Sequence, residues 1–323
     1  MYYQKHKKSA LIRIILGICL FVGIFWLAKN PNPTINIFRN TRIESGNVLG
    51  AFFEQFGESA REQAKRVGER LEKFNVQSSK FKIEEGKMIF QFAVVADSHE
   101  NETSFPMVLE RIKGEAVDFL IHLGDLVNAG EFEKLKQAKS FLDNTGISYY
   151  VIPGDHDYNW QPEHSLANFK EVFEAEQIYS SFEYNGVLFV LLDNSDNSDE
   201  VDVAQTKWLK EQLSAINNKQ LTISNLFVFS HKPFSSLYFP DKVDPNGGTI
   251  LELLAEYKAT QVFSGNVHTF ARYSDSQTGV GITTIGAAGT YKNSLPQYVL
   301  VSVYEDGSFT VEAKPYKELK LDK

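Results

Sequence analysis

The eight residues FAVVADSH, at positions 92–99, show how this chain is organised. An apolar run is followed at once by Asp97 and His99, with a single residue between them. An unbroken run of this length is typical of a strand that is buried on both faces, as in sheets whose strands are joined by helices. In such sheets ligands bind beyond the carboxyl ends of the strands. Asp97 and His99 are therefore candidate site residues.

The same arrangement recurs at four later places in the chain. Apolar runs are followed there by these polar, metal-competent side chains: Asp125; Asp155, His156 and Asp157; His231; Asn266 and His268. A single Asp at such a position more often caps a helix or forms a turn. The ordered set predicts one crevice that collects carboxylates and imidazoles. Glycines beside three of the clusters (Gly124, Gly154 and Gly265) allow the sharp backbone turns that this convergence needs.

Apolar runs alternate with segments of helical periodicity, which indicates an α/β fold. Strands are predicted at residues 89–96, 119–123 and 148–152, with helices near 105–113 and 131–144 between them. The later predicted elements are a hairpin at 181–192, helices at 205–216 and 249–257, and strands at 226–229, 261–263, 270–274, 281–285, 298–304 and 309–313.

In their order and spacing these motifs resemble the calcineurin-like metallophosphoesterase superfamily. The matching motifs are Asp97-Ser98-His99, Gly124-Asp125, Gly154-Asp155-His156-Asp157, His231 and Gly265-Asn266-Val267-His268. The family pattern is Asp-x-His, Gly-Asp, Gly-Asn-His-Asp/Glu, His and Gly-His-x-His. The resemblance implies a four-layer α/β/β/α sandwich with two mixed sheets around a dinuclear metal centre.

The resemblance also implies a role for each motif residue. The first metal ion would be held by Asp97, His99 and His268, the second by Asp155, His231 and Asn266, with Asp125 bridging both. His156 would lie outside the metal shell near the scissile ester, with Asp157 as its orienting partner. Two such cations polarise phosphoryl oxygens and generate a metal-bound hydroxide near neutral pH, while a protonated imidazole can assist the leaving oxygen. The expected activity is hydrolysis of phosphate mono- or diesters.

Two positions depart from the family pattern, and both fall on the second metal ion. Asp155 stands where the family has Asn, and Asn266 stands where it has the first His of its last motif. The change makes the site richer in oxygen, which favours Mn²⁺ or Mg²⁺ over Zn²⁺ and leaves iron and Zn²⁺ as alternatives. It is either a compensated exchange of ligands or the mark of a weak second site. In the latter case the domain would be a catalytically weakened or inactive binding module. A purple-acid-phosphatase type is disfavoured, because Asn128 occupies the position of that group's tyrosine.

The N-terminus carries the pattern of a membrane anchor. Lys5, Lys7 and Lys8 precede a stretch at residues 10–28 that is apolar except for Arg13 and is close to the ~20 residues that span a bilayer. We predict a single-pass protein with residues 1–9 in the cytoplasm and the catalytic domain outside it. A cleaved signal peptide and a buried helix are the alternatives.

Residues 29–86 are predicted to form a linker and a juxtamembrane amphipathic helix. Within them, residues 48–75 place apolar side chains every three or four positions. This helix either packs on the following domain or pairs two chains as a coiled-coil stalk, which would give a homodimer. The metallophosphoesterase-like domain is expected at residues 87–316, followed by a tail at 317–323.

Composition narrows the class of partner. The net charge of -8 argues against a protein that binds nucleic acid polymers, since such binding needs surplus Lys and Arg. The expected substrate is a phosphorylated small molecule or lipid. Cys19 is the sole cysteine, so the chain can form no internal disulfide.

Overall fold

The structure is a computed structural model that describes residues 86–159, 165–195, 200–217, 224–236, 239–290 and 296–316. The expected cytoplasmic tail, anchor, linker and amphipathic helix at residues 1–85 lie outside the described residues, as does the tail at 317–323. Among the helices of the described ranges, none has both the length and the apolar character required to cross a bilayer.

The described residues form strands and helices largely where the apolar runs and helical periodicities predict them. The strands are β1 (Met88–Val95), β2 (Phe119–His122), β3 (Tyr149–Val151), β4 (Ser180–Tyr184), β5 (Val187–Leu191), β6 (Asn225–Ser230), β7 (Gln261–Ser264), β8 (Ala271–Ser274), β9 (Gly281–Thr284), β10 (Gln297–Tyr304) and β11 (Phe309–Pro315). The helices are α1 (Ser104–Lys113), α2 (Phe132–Asp143), α3 (Ala167–Val172), α4 (Val203–Asn217) and α5 (Gly247–Glu256). Two single 3₁₀ turns lie at Asp155–Asp157 and Pro240–Lys242.

The strands form two sheets, and both are mixed. The first has the order β11-β10-β1-β2-β3, in which β1, β2 and β3 run parallel while β10 and β11 are antiparallel to their neighbours. The second has the order β4-β5-β6-β7-β9-β8, with a parallel centre and antiparallel pairs at both edges. The parallel strands of each sheet therefore end at a common edge, which is where the candidate site residues follow in the sequence.

Three apolar clusters hold the layers together. The cluster between the sheets is rich in phenylalanine: the ring of Phe189 lies 5.3 Å from that of Phe92 in an edge-on contact, and Phe229 stacks on Phe263 at 5.2 Å. A second cluster joins the first sheet to α1, α2 and α3, and a third joins the second sheet to α4 and α5. The layers thus follow the order α/β/β/α, as expected, and apolar burial at about 25 cal/mol per Å² favours this stacking.

Candidate metal centre

Five strands deliver the predicted site residues to one place. Asp97 and His99 follow β1, Asp125 follows β2, Asp155 follows β3, His231 follows β6, and Asn266 and His268 follow β7. The acidic and imidazole side chains form two clusters, in each of which the potential ligand atoms lie within 4.8 Å of one another. The first cluster consists of Asp97, His99, Asp125 and His268, and the second of Asp125, Asp155 and His231.

Asp125 belongs to both clusters and directs one oxygen to each. Its Oδ2 lies 3.4 Å from Nε2 of His99, and its Oδ1 lies 3.5 Å from Nε2 of His231. Within the second cluster, Nε2 of His231 lies 3.1 Å from Oδ1 of Asp155. This is the arrangement of a carboxylate shared between two neighbouring sites.

The chemistry of these side chains fits bound divalent cations. Oδ2 of Asp97 is buried and has no hydrogen-bond partner within the described ranges, although a buried carboxylate oxygen ordinarily needs one. Nε2 of His99 and Nε2 of His268 lie 3.3 Å apart, so that two imidazoles face the same point. Carboxylate oxygens and imidazole nitrogens gathered in this way are common ligands of Mn²⁺, Fe²⁺ and Zn²⁺.

Burial and mutual charge shift the pKa values of the clustered groups. Burial raises the pKa of Asp125 to about 6, and the nearby carboxylates of Asp97 and Asp155 add to that shift. Burial lowers the pKa of His99 to about 4, so this imidazole is neutral at pH 7 and able to ligate a metal. Burial would also lower the pKa of His231, but the adjacent Asp125 and Asp155 raise it to about 10. The raised pKa values of Asp125 and His231 mean that the second cluster favours additional positive charge.

The backbone that carries the candidate ligands is strained. Left-handed φ values are found at Asp97 (55°), His99 (45°), Asp125 (57°), Asn266 (62°) and His268 (53°). This region costs most residues other than glycine roughly 1–2 kcal/mol, and Asp and Asn less. The loops after β1 and β2 hold each other in this conformation, because the backbone N–H groups of Asp97 and His99 donate to the carbonyls of Gly124 and Asp125 at 3.0 Å. Strain of this kind persists at functional sites, where the surrounding structure enforces it.

Two glycines permit the close approach of the loops after β2 and β3. Gly124 has a φ of +90°, and a Cβ at this position would overlap the backbone of Pro153 and Gly154. Gly154 has an ordinary φ of -106°, but a Cβ there would overlap the backbone nitrogen and Oδ1 of Asp125. Gly124 thus serves both the expected sharp turn and close packing, whereas Gly154 serves packing alone.

His156 lies next to the two clusters, and the group that holds its ring is not the predicted Asp157 but a backbone carbonyl. Its backbone N–H donates to Oδ1 of Asp125 at 3.0 Å, and its ring centroid lies 5.0 Å from that of His99. Its Nδ1 lies 2.9 Å from the backbone carbonyl oxygen of Asn128. Because a carbonyl only accepts hydrogen bonds, Nδ1 carries the proton and the neutral ring has Nε2 unprotonated.

The structure places Asp157 away from the role of orienting the His156 ring. Its fully buried carboxylate accepts backbone N–H groups from Leu126 at 2.9 Å, from Val127 at 3.1 Å and from Gly154 at 2.9 Å. Burial, together with the charge of Asp125, raises the pKa of Asp157 to about 8. Asp157 therefore links the loop after β2 to the loop after β3 through these hydrogen bonds.

The sequence of residues 90–270 matches the calcineurin-like phosphoesterase family. The chain belongs to this family. No curated protein matches it significantly, but several solved structures share its fold. A dimetal phosphatase from Danio rerio has a TM-score of 0.57 at 16% identity, over 72% of this chain and 98% of that one. The purple acid phosphatase PPD1 from yellow lupin seeds has a TM-score of 0.58 at 14% identity, over 70% of this chain and 51% of that one. GAP50, the anchor in the inner membrane complex of Plasmodium, has a TM-score of 0.53 at 14% identity, over 72% of this chain and 86% of that one.

Behind the candidate centre lies a polar chain that begins at His122. His122 is completely buried; its Nδ1 accepts the N–H of Gly124 at 3.1 Å, and its Nε2 lies 3.3 Å from Oγ of Ser98. Ser98 in turn donates to the carbonyl of Leu126 at 3.2 Å. Burial lowers the pKa of His122 to about 3, so the ring is neutral and its Nε2 is the donor to Ser98. His122 lies within the apolar run at 119–123, and nothing in that run signals these bonds.

Asn266, the unusual residue of the phosphoesterase motif, lies beside the clusters. Its backbone N–H donates to Oδ1 of Asp97 at 3.2 Å, and its Nδ2 donates to the carbonyl of Lys242 at 3.3 Å. With Nδ2 engaged by the Pro240–Lys242 turn, the amide oxygen is the atom available as a ligand.

Proposed function

We propose that this phosphoesterase hydrolyses phosphate mono- or diesters at a centre of two divalent cations. The observation that carries the proposal is the position of Asp125, whose two oxygens face separate clusters of acidic and imidazole side chains. A single structural metal site needs no such sharing. Two cations close together are the arrangement that stabilises both the attacking and the leaving oxygen of a phosphoryl displacement.

The chain's own residues divide between holding the cations and assisting the ester. Asp97, His99, His268 and Asp125 would hold the first cation, and Asp125, Asp155, His231 and Asn266 the second. When bound, the cations polarise the phosphoryl oxygens and make a water molecule more acidic. The oxygen-rich second site, with Asp155 and the amide of Asn266, favours Mn²⁺ or Mg²⁺, while Fe²⁺ and Zn²⁺ are the less favoured alternatives.

His156 is the residue that we assign to proton transfer. Its Nδ1 is occupied by the carbonyl of Asn128, which leaves Nε2 to exchange a proton with the substrate. A protonated Nε2 would donate to the leaving oxygen as the P–O bond breaks, and an imidazole is suited to this task near neutral pH.

The direct test is phosphoesterase activity of the purified 323-residue chain with each of Mn²⁺, Mg²⁺, Fe²⁺ and Zn²⁺. Aryl phosphate mono- and diesters serve as substrates, and bound metal is counted by elemental analysis. We expect turnover with Mn²⁺, two metal equivalents per chain, and a loss of about 10²–10⁴ in kcat for His156→Ala. Lack of turnover with all four metals across the ester panel would overturn the proposal.

A second candidate function is a binding module of the same fold with an incomplete second site. The observation in its favour is that the second cluster contains only three acidic or imidazole groups within the described ranges, with a neutral amide where the family has a histidine. One metal equivalent or none, together with a lack of activity, would support the module over the enzyme.

The proposal includes a location at the membrane. The lysine-flanked apolar stretch at residues 10–28 supports a single-pass anchor with the catalytic domain on the extracytoplasmic side. The net charge of -8 argues against nucleic acid polymers, so the proposed substrate is a phosphorylated small molecule or lipid. The periodic stretch at 48–75 supports pairing of two chains.

Alkaline extraction of membranes tests the anchor: release of the chain into the soluble fraction would contradict it. Protease accessibility in sealed vesicles tests the orientation.

A further inference from the structure

Glu100 combines a strained backbone with a specific side-chain contact. It follows His99 directly and has a φ of +55°, in the left-handed region that glycine adopts without strain. A residue other than glycine in this conformation is uncommon, so the side chain that imposes the strain needs an explanation.

The side chain of Glu100 reaches across to the loop after β2. Its Oε1 accepts the backbone N–H of Asn128 at 3.1 Å, while Oε2 lies 3.7 Å from Nζ of Lys134 on α2. The backbone N–H of Glu100 donates to the carbonyl of Leu126 at 2.9 Å, which continues the series of bonds between the two loops. Because the side chain is 20% exposed, the carboxylate lies at the rim of the site, only partly covered.

Asn128 connects this contact to the catalytic candidate. Its N–H is held by Glu100, and its carbonyl accepts the Nδ1–H of His156 at 2.9 Å. The N–H and C=O groups of Asn128 flank the same Cα, so the position of its carbonyl depends on the hydrogen bond that Glu100 makes to its N–H. Without the carboxylate, that backbone N–H loses its side-chain acceptor, and the His156 ring loses a fixed partner.

We propose that Glu100 is a positioning residue, which acts through the backbone of Asn128 to hold the His156 ring in its Nδ1–H form. The proposal rests on the proposed function, since it concerns the residue to which proton transfer is assigned. It accounts for a glutamate at a position where the backbone favours glycine.

The decisive variant is Glu100→Gly, because it removes the carboxylate and relieves the backbone strain at the same time. If Glu100 only shaped the backbone, the Glu100→Gly variant would keep the wild-type kcat and would be at least as stable as the wild type. We expect a melting temperature no lower than that of the wild type, a kcat reduced about tenfold to a hundredfold, and KM within about twofold. Glu100→Gln keeps an oxygen acceptor and should retain kcat within about threefold.

Glu174→Gly provides a matched control. Glu174 also has a left-handed φ, of 54°, but it is exposed and lies after α3, outside the candidate centre. This variant relieves the same kind of strain, and we expect it to leave kcat unchanged.

A double mutant shows whether Glu100 acts through His156. In a His156→Ala background, Glu100→Gly should cause no further loss of activity, since the group that it positions is absent. A full additional loss in that background would overturn the proposal, as would wild-type kcat in the single Glu100→Gly variant.

The ¹⁵N signals of the imidazoles give a readout that does not depend on activity. The His156 signal, identified by its disappearance in His156→Ala, should report the Nδ1–H form in the wild type and a mixture of tautomers in Glu100→Gly. If the wild type has no phosphoesterase activity, the proposed function fails, and this comparison still decides the positioning role. An identical His156 signal in both proteins would overturn it.

Discussion

Gly154 packs against the side chain of Asp125 so closely that the space for a Cβ is already occupied by the Asp125 nitrogen and Oδ1. The carboxylate shared by the two clusters is therefore held partly by the backbone of the loop after β3. The N–H of His156 in this loop also donates to the same oxygen at 3.0 Å. The geometry of the shared ligand consequently depends on the position of a loop that is distant in sequence.

Gly154→Ala should therefore displace Asp125. Forcing a methyl group into a packed site typically costs about 1–3 kcal/mol. We therefore expect Gly154→Ala to unfold at a lower urea concentration than the wild type and to bind Mn²⁺ more weakly in titration calorimetry. Gly248→Ala is the control: Gly248 lies in α5, and within the described ranges no atom beyond its own helix and chain neighbours lies within 4 Å of an added Cβ, so this variant should gain up to about 1 kcal/mol. Wild-type affinity for Mn²⁺ in Gly154→Ala would contradict the packing argument.

Asp125→Ala and Asp155→Ala should differ in the amount of metal that they lose. The shared carboxylate contributes to both clusters, so Asp125→Ala should retain less than one metal equivalent after dialysis. Asp155 belongs to the second cluster alone, and Asp155→Ala should retain about one. Elemental analysis of both variants, with circular dichroism to confirm folding, measures the difference. Equal losses would argue that Asp125 is an ordinary ligand of one ion.

Asn266→His restores an imidazole at the position where the family has one. Because imidazole suits Zn²⁺ better than a neutral amide oxygen does, the second site should shift its preference from Mn²⁺ toward Zn²⁺. Competition between the two metals, followed by elemental analysis, measures the shift, and Asn144→His, at the exposed end of α2, serves as a control for adding a histidine outside the two clusters. An unchanged ratio of the two metals would indicate that residue 266 is not a ligand.

Glu115 should make the stability of the fold depend on pH. Its carboxylate accepts the hydroxyl of Tyr298 at 2.6 Å and the ammonium of Lys314 at 3.1 Å, which links the end of α1 to β10 and β11. Burial would raise the pKa of Glu115, but the bonds from Tyr298 and Lys314 outweigh it and lower the pKa below its usual 4.5. A carboxyl with a lowered pKa stabilises the fold above its unfolded-state pKa, and this contribution disappears as the pH falls through the folded-state value.

Glu115→Gln should accordingly lower the free energy of unfolding by about 1 kcal/mol at pH 7, allowing for the partial exposure of the group. The difference from the wild type should shrink as the pH falls below 4.5 and through the lowered folded-state pKa, because protonation removes the same charge. Urea unfolding at pH 7 and at acidic pH measures this effect. Glu110→Gln, which removes only an exposed pair with Lys113, should change the stability by less than about 0.5 kcal/mol at either pH. An equal loss in both variants would argue against a special role for Glu115.

Much of the fold could be predicted because its strands are apolar runs with turns at both ends. The run at 119–123 became β2 (Phe119–His122), and the hairpin at 181–192 became β4 and β5 around the turn at residues 185–186. The helix α3 (Ala167–Val172) was not predicted, because six residues contain too few turns to show a helical period.

By itself the sequence determined which side chains could hold metal ions and at which strand ends they stand, because these properties depend on residue type and chain order. Only the tertiary structure decided how those side chains are held: Asp157 accepts backbone groups of two loops, the carbonyl of Asn128 holds His156, and Glu100 anchors Asn128. The physical reason is that these contacts use backbone N–H and C=O groups, which nearly every residue carries. Their pairing depends on how the loops approach one another in space, so no pattern of side chains along the chain reveals it.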